Sequence, residues 1–172
     1  VELAVLEFGN LAGLTFRVGS AAKPVLRYVF PPCQVAAGEY VVFHLKPQGI
    51  PEERDETEDT ASSGGLDASP GARDFWYRGG DGALPGENGV LTLYGSPTGA
   101  LRDALIYSAR TSESDTKYGG FGSQALLDQA RSVVAEGGWV ITGFEVRPED
   151  AAWSEGTTST RTICRSSDSR DT

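Results

Sequence analysis

The chain has 172 residues, 39% hydrophobic and 23% charged, which is a globular composition, and its 22 glycines and 9 prolines predict many turns and few long helices. A net charge of −9 argues against the basic footprint that nucleic acid or an anionic membrane surface requires. No apolar run approaches the roughly eighteen residues a membrane span needs, and the length fits one domain able to bury its own core.

In chain order, Val1-Glu-Leu-Ala-Val-Leu6 alternates as a strand and Phe8-Gly-Asn10 closes it with turn chemistry. The start at Val1, without methionine and already inside a strand, reads as a processed or trimmed piece whose targeting segment lies elsewhere. Leu14 to Val18 gives a second strand with Leu14, Phe16 and Val18 inward, and Val25 to Phe30 a third, stopped by Pro31-Pro32. Glu39 to Leu45 is a central strand candidate, with Val41, Phe43 and Leu45 on one face and Tyr40, Val42 and His44 on the other.

From Pro47 to Gly71 the pattern gives way to a charge run, Pro51-Glu-Glu-Arg-Asp-Glu-Thr-Glu-Asp59, followed by Ala-Ser-Ser-Gly-Gly. This reads as a solvated, flexible loop at about 47–71, mobile and open to proteases from about Glu52 to Gly65. Asp74 to Tyr77 predicts a short strand or an aromatic plug.

Val90 to Tyr107 then reads as a hairpin that organises the fold: two apolar arms around Ser96-Pro-Thr-Gly99, with Leu101, Leu105 and Tyr107 on one face of the second arm. A two-stranded ribbon needs further strands to cover it. Ser123 is a fitting N-cap, and Leu126, Leu127, Ala130, Val133 and Val134 recur at helical spacing up to Gly137-Gly138, which predicts one helix over about 123–136. Trp139 to Val146, broken by Gly143, reads as an irregular strand, and Thr157 to Arg165 as the last strand. The fold class is therefore all-β, an antiparallel β-sandwich with one inserted helix, in a single domain over 1–172.

Several motifs bear on chemistry. Gly120-Phe-Gly-Ser-Gln-Ala125 spells a dinucleotide fingerprint, but a polar run rather than a buried strand precedes it, so no cofactor is expected. His44 is the single histidine, and with no Gly-x-Ser-x-Gly elbow in the chain it needs a partner supplied by the fold to act as a base. Glu52, Asp55 and Asp59 are weak calcium candidates that lack calcium-loop spacing. Cys33 and Cys164 form either one long-range disulfide or two ordinary thiols. Trp76, Trp139 and Trp153 are core residues or exposed anchors, with Trp139 assigned to the core.

Val1-Glu-Leu with Gly9-Asn-Leu-Ala-Gly-Leu14, Ala37-Gly-Glu-Tyr-Val-Val42, Gly89-Val-Leu-Thr-Leu93 with Asp103-Ala-Leu-Ile-Tyr107, and Thr160-Arg-Thr-Ile-Cys-Arg165 with Asp168 and Asp171-Thr172 resemble, in this order, the bacterial lamin-tail domain. The resemblance implies an immunoglobulin-like sandwich of non-catalytic character, found in secreted or envelope-associated bacterial proteins and often beside hydrolase domains. It places the family's opening strand before Val1 and its closing Asp-Trp element after Thr172. The expected function is a structural or protein-interaction module without catalytic residues, with an unidentified protein partner, no nucleic acid, no membrane insertion and an extracytoplasmic location. The alternative is a hydrolase whose loop-built site uses His44 and an acidic partner.

Overall fold

The computed structural model describes residues 1–19, 24–80, 82 and 84–155. Among them lie ten strands, β1 (Glu2–Ala4), β2 (Gly9–Asn10), β3 (Thr15–Gly19), β4 (Pro24–Val29), β5 (Gln34–Val35), β6 (Tyr40–His44), β7 (Arg73–Trp76), β8 (Asn88–Tyr94), β9 (Leu101–Ser108) and β10 (Ala152–Trp153). One α-helix, α1 (Gln124–Ala135), and 3₁₀ turns at Ser112–Ser114 and Pro148–Asp150 complete the described elements. The expected class, all-β with one inserted helix, is the one observed.

The strands form three sheets, ordered β1-β6-β7, β10-β9-β8-β3-β4 and β2-β5. Two compact units divide the chain, the first drawing on Val1–Thr15 and Tyr28–Ala83, the second on Phe16–Arg27 and Leu84–Thr172. Two pairings depart from the antiparallel expectation, because β6–β7 and β10–β9 are parallel. Parallel neighbours cannot be joined by a tight turn and need a crossover of a dozen or more residues. The acidic stretch between His44 and Arg73 is that crossover, which gives its length a structural reason.

In the first unit β6 turns Val41 and Phe43 inward, and Phe75 of β7 joins them. Tyr28 packs on Phe43 at a 38° tilt with ring centroids 4.5 Å apart and Phe30 meets Phe75 edge-on at 5.1 Å, a close-packed aromatic core. Burying each of these rings contributes roughly 1.5–3 kcal/mol.

In the second unit the β8–β9 hairpin forms as expected, with Gly99 N–H closing its turn onto the Ser96 carbonyl at 3.1 Å. The more deeply buried face of β9 is that of Ala104, Ile106 and Ser108 rather than that of Leu101 and Leu105. A bulge between Leu93 and Tyr94 shifts the register at the turn end, so that Leu93 faces Asp103 while Tyr94 faces Leu101. Ser123 caps α1 by accepting the Leu126 N–H, and Leu127, Ala130 and Val133 turn towards the core.

Trp139 to Val146 is not a strand. The Asp150 carboxylate takes the N–H and hydroxyl of Thr142 and the Arg147 N–H, which folds the segment into a loop. The strand expected over Thr157 to Arg165 lies outside the described residues.

Candidate functional site

The site grows from the parallel pairing of β6 and β7. Directly paired residues share a side of the sheet, and the register sets His44 beside Trp76 and Val42 beside Asp74. With Phe43 and Phe75 inward, the outward face brings together His44, Asp74 and Trp76.

The imidazole of His44 stacks on the Trp76 indole, with centroids 3.8 Å apart and planes 14° from parallel. His44 Nε2 lies 2.8 Å from Asp74 Oδ1. A carboxylate only accepts, so Nε2 carries the proton of this bond and, in the neutral ring, Nδ1 is left as the acceptor. The other Asp74 oxygen accepts the Ser69 N–H at 2.8 Å. Sequence reasoning singled out His44 but not Asp74. The period-two pattern places both on one side of a sheet, yet only the parallel register makes them neighbours.

The acidic stretch covers this face. Rather than a solvated, flexible loop, it is folded onto β7, with Glu53 only 1% and Glu56 only 2% exposed. Buried carboxylates are costly unless their oxygens are hydrogen-bonded. Glu53 accepts the N–H groups of Gln48 at 2.7 Å and Gly49 at 2.8 Å, and Glu56 accepts those of Ser63 and Asp74, both at 2.8 Å. Asp55 accepts the Trp76 N–H at 2.8 Å and the Tyr28 hydroxyl at 3.0 Å. The Trp76 indole N–H donates to Ser63 Oγ at 2.9 Å.

Arg73 ties the cover down from below. Its guanidinium pairs with Glu39 at 2.6 Å and donates to the carbonyls of Glu56 at 2.8 Å and Asp59 at 2.9 Å. Burial, reinforced by the charge of Asp55, pushes the Tyr28 hydroxyl well above the usual tyrosine range. It therefore stays a donor to that carboxylate.

The weak calcium candidates Glu52, Asp55 and Asp59 fall within the acidic stretch. Glu52 is exposed, Asp55 points at Trp76 N–H and Tyr28, and Asp59 accepts the N–H groups of Ala61 and Ser62 at 2.9 and 2.8 Å. Those backbone donors hold the Asp59 carboxyl below the usual carboxylate range. The three side chains serve different local donors, and no group of three His, Cys, Asp or Glu suited to a metal occurs among the described residues.

Cys33 is buried, its thiol within 3.7 Å of the Gln34 carbonyl oxygen and 3.8 Å of that of Glu56, and burial pushes it up from the usual thiol range. It lines an open hollow of about 350 Å³ with Asn10, Pro32, Gln34, Thr57 and Glu58. Cys164, its candidate disulfide partner, lies outside the described residues.

In the second unit the fingerprint-like Gly120 to Ala125 is a structural turn. Asp115 takes the N–H groups of Lys117, Tyr118 and Gly122 through its carboxylate and that of Gly120 through its carbonyl. Here the loop of residues 139–147 presents Val140 at 91% and Phe144 at 106% exposure, while Trp139 beneath is buried with its indole N–H on the Asp150 carbonyl at 2.8 Å. Glu145 anchors the same loop to α1 through Arg131 at 3.0 Å. No helix among the described residues is long and apolar enough to cross a membrane.

No solved structure matches the chain. An uncharacterized protein of Treponema pallidum (strain Nichols) is 38% identical to it over 108 residues, a stretch equal to 62% of this chain and 27% of that protein. The match therefore spans little more than a quarter of that relative's own length. Over residues 1–172 the chain matches the family described as "protein second domain" (TP_1001_2nd), and it belongs to that family.

Proposed function

We propose that this domain is a non-catalytic structural or protein-interaction module of a secreted or envelope-associated bacterial protein, built on an immunoglobulin-like plan of the lamin-tail type. The observation that carries the reading is the loop of residues 139–147. Asp150 holds its backbone at Thr142 and Arg147 and Arg131 pairs with its Glu145 side chain, yet Val140 and Phe144 stand free of the protein's own core. An ordered loop that holds an aromatic ring out in water has its ordering cost met before contact, which is what a hot-spot anchor requires. The lamin-tail resemblance supports the same reading by analogy, since fold alone does not assign function.

One observation favours the hydrolase alternative: the 2.8 Å contact between His44 and Asp74, the orientation that an acid–base histidine needs. Against it stands the use of both Asp74 oxygens, one by His44 and one by the Ser69 N–H of the covering segment, which gives the dyad a structural task.

The test uses the full-length bacterial protein. Cross-linking followed by co-purification should capture a partner protein that is lost in Val140→Ser/Phe144→Ser while the circular dichroism spectrum is unchanged. Retention of the partner by that double variant removes the contact loop from the reading. A hydrolytic activity abolished by His44→Ala with the fold intact replaces the reading by the alternative.

A further inference from the structure

Among the contacts that hold the crossover between β6 and β7, the carboxylates of Glu53 and Glu56 accept four backbone N–H groups. Each oxygen of Glu53 and of Glu56 accepts a backbone N–H, so a proton added to either carboxyl falls on an oxygen that is already an acceptor. A protonated carboxyl has a hydroxyl in place of one charged oxygen, so its N–H bonds lose their charge assistance and one of them meets a poorer acceptor. The inward side of the same sheet is held differently, by the uncharged packing of Tyr28, Phe30, Phe43 and Phe75. The Arg73–Glu39 pair and the Tyr28–Asp55 bond adjoin that packing, whereas Phe30, Phe43 and Phe75 carry no group that acid can protonate.

We infer that the segment of residues 47–71 is an acid-released strap: proton uptake by Glu53 and Glu56 frees it from β7 and uncovers Trp76 while the sheet beneath persists. Other charged and titratable groups face these pins. Arg78 donates to the Glu53 carbonyl, and Arg73, paired with Glu39, donates to the carbonyls of Glu56 and Asp59. Asp55 lies against Tyr28 and the Trp76 N–H, Asp74 against His44, and the Cys33 thiol against the Glu56 carbonyl.

Release turns a covered sheet face, already flanked by the exposed Tyr40, into one that displays Trp76 as well.

The experiment is amide hydrogen exchange read by NMR on the intact chain, expressed as protection factors so that the intrinsic pH dependence cancels. Between about pH 7 and about pH 4, the amides of Gly49 and Ser63 and the indole N–H of Trp76 should lose at least about tenfold in protection while those of Phe43 and Phe75 keep theirs. Glu56→Gln, which places an amide donor against one of the two backbone donors, should show the same loss at neutral pH, and Glu52→Gln, at an exposed position, should match the unaltered chain. Loss of strap and sheet protection together, retention of strap protection throughout, or equal behaviour of the two variants overturns the proposal. If Glu56→Gln does not fold, the titration of the unaltered chain decides alone.

Discussion

Glu56 and Asp74 are joined reciprocally. The Asp74 N–H donates to the Glu56 carboxylate at 2.8 Å and the Glu56 N–H donates to the Asp74 carbonyl at 2.9 Å. The crossover thus extends β7 by one rung of strand-like pairing, with a side chain standing in for the second backbone acceptor. Removing that side chain should be severe. Glu56→Ala leaves the part-buried N–H of Ser63 and the buried N–H of Asp74 without their acceptor, at roughly 1–3 kcal/mol each, so a total loss of about 2–6 kcal/mol is expected. Urea denaturation at neutral pH measures it, and a loss below about 1 kcal/mol would mean that water replaces the carboxylate freely.

Arg73 should behave as a second pin of the same cover. Its guanidinium serves the Glu39 carboxylate and two carbonyls at once, so Arg73→Met abandons a partly buried charge on Glu39 and frees the oxygens of Glu56 and Asp59. About 3–5 kcal/mol of destabilisation is expected, and Glu39→Gln, which keeps an acceptor in place, should cost clearly less. Equal losses in the two variants would show that the charge, rather than the hydrogen-bond geometry, carries the contact.

The strands that sequence makes legible are those in which period-two patterning coincides with real one-sided burial. Val41 and Phe43 of β6 and Phe16 and Val18 of β3 are of this kind, whereas β8 is buried on both sides and β9 buries Ala104 and Ile106 more deeply than the expected Leu101 and Leu105. The helix is legible because Ser123 and the Gly137-Gly138 pair bracket a helical apolar stripe, and Gly137 does adopt the left-handed conformation such a stop uses, at φ 78°.

What escaped was the acidic stretch. Read along the chain, Glu53, Asp55, Glu56 and Asp59 are a charge run with nothing apolar to bury. Folded, they are acceptors for N–H groups that the crossover and β7 would otherwise leave unsatisfied. No periodicity announces such a role, because each carboxylate answers a donor fixed by the tertiary register. The same holds for the His44–Asp74 contact, which exists only because β6 and β7 run parallel.

The 139–147 loop divides its residues sharply between support and display, and stability should follow that division. Trp139 is buried and hydrogen-bonded through its indole, so Trp139→Ala should cost about 3–5 kcal/mol. Phe144 is fully exposed, so Phe144→Ser should stay within about 0.5 kcal/mol of the unaltered chain in the same thermal or urea melt. A large loss from Phe144→Ser would show that its ring is covered in solution.

Tyr107 carries the last prediction, through its cross-strand partner. Gly89 and Tyr107 are directly paired on β8 and β9, and a methyl group added at Gly89 would run into the Tyr107 ring. The ring lies over the glycine and its hydroxyl donates to the Pro85 carbonyl at 2.7 Å. Burial pushes that hydroxyl up to about 12. An acid whose ionisation is raised on folding binds its proton more tightly in the native state than in the unfolded chain, where tyrosine ionises near about 10. The resulting stabilisation is complete below about pH 10 and is lost as the pH rises through about 12, when the unfolded chain has ionised and the native hydroxyl is forced to follow. Tyr28 and Tyr94 are pushed in the same direction, so the test is a difference between chains. Tyr107→Phe should give up about 0.5–1.5 kcal/mol at neutral pH for the lost bond to Pro85, then lose stability less steeply than the unaltered chain above about pH 10. Urea midpoints at several alkaline pH values read the two slopes, and equal slopes would show that Tyr107 ionises as freely folded as unfolded. Gly89→Ala should lower stability by about 1–3 kcal/mol, by forcing the ring off its seat.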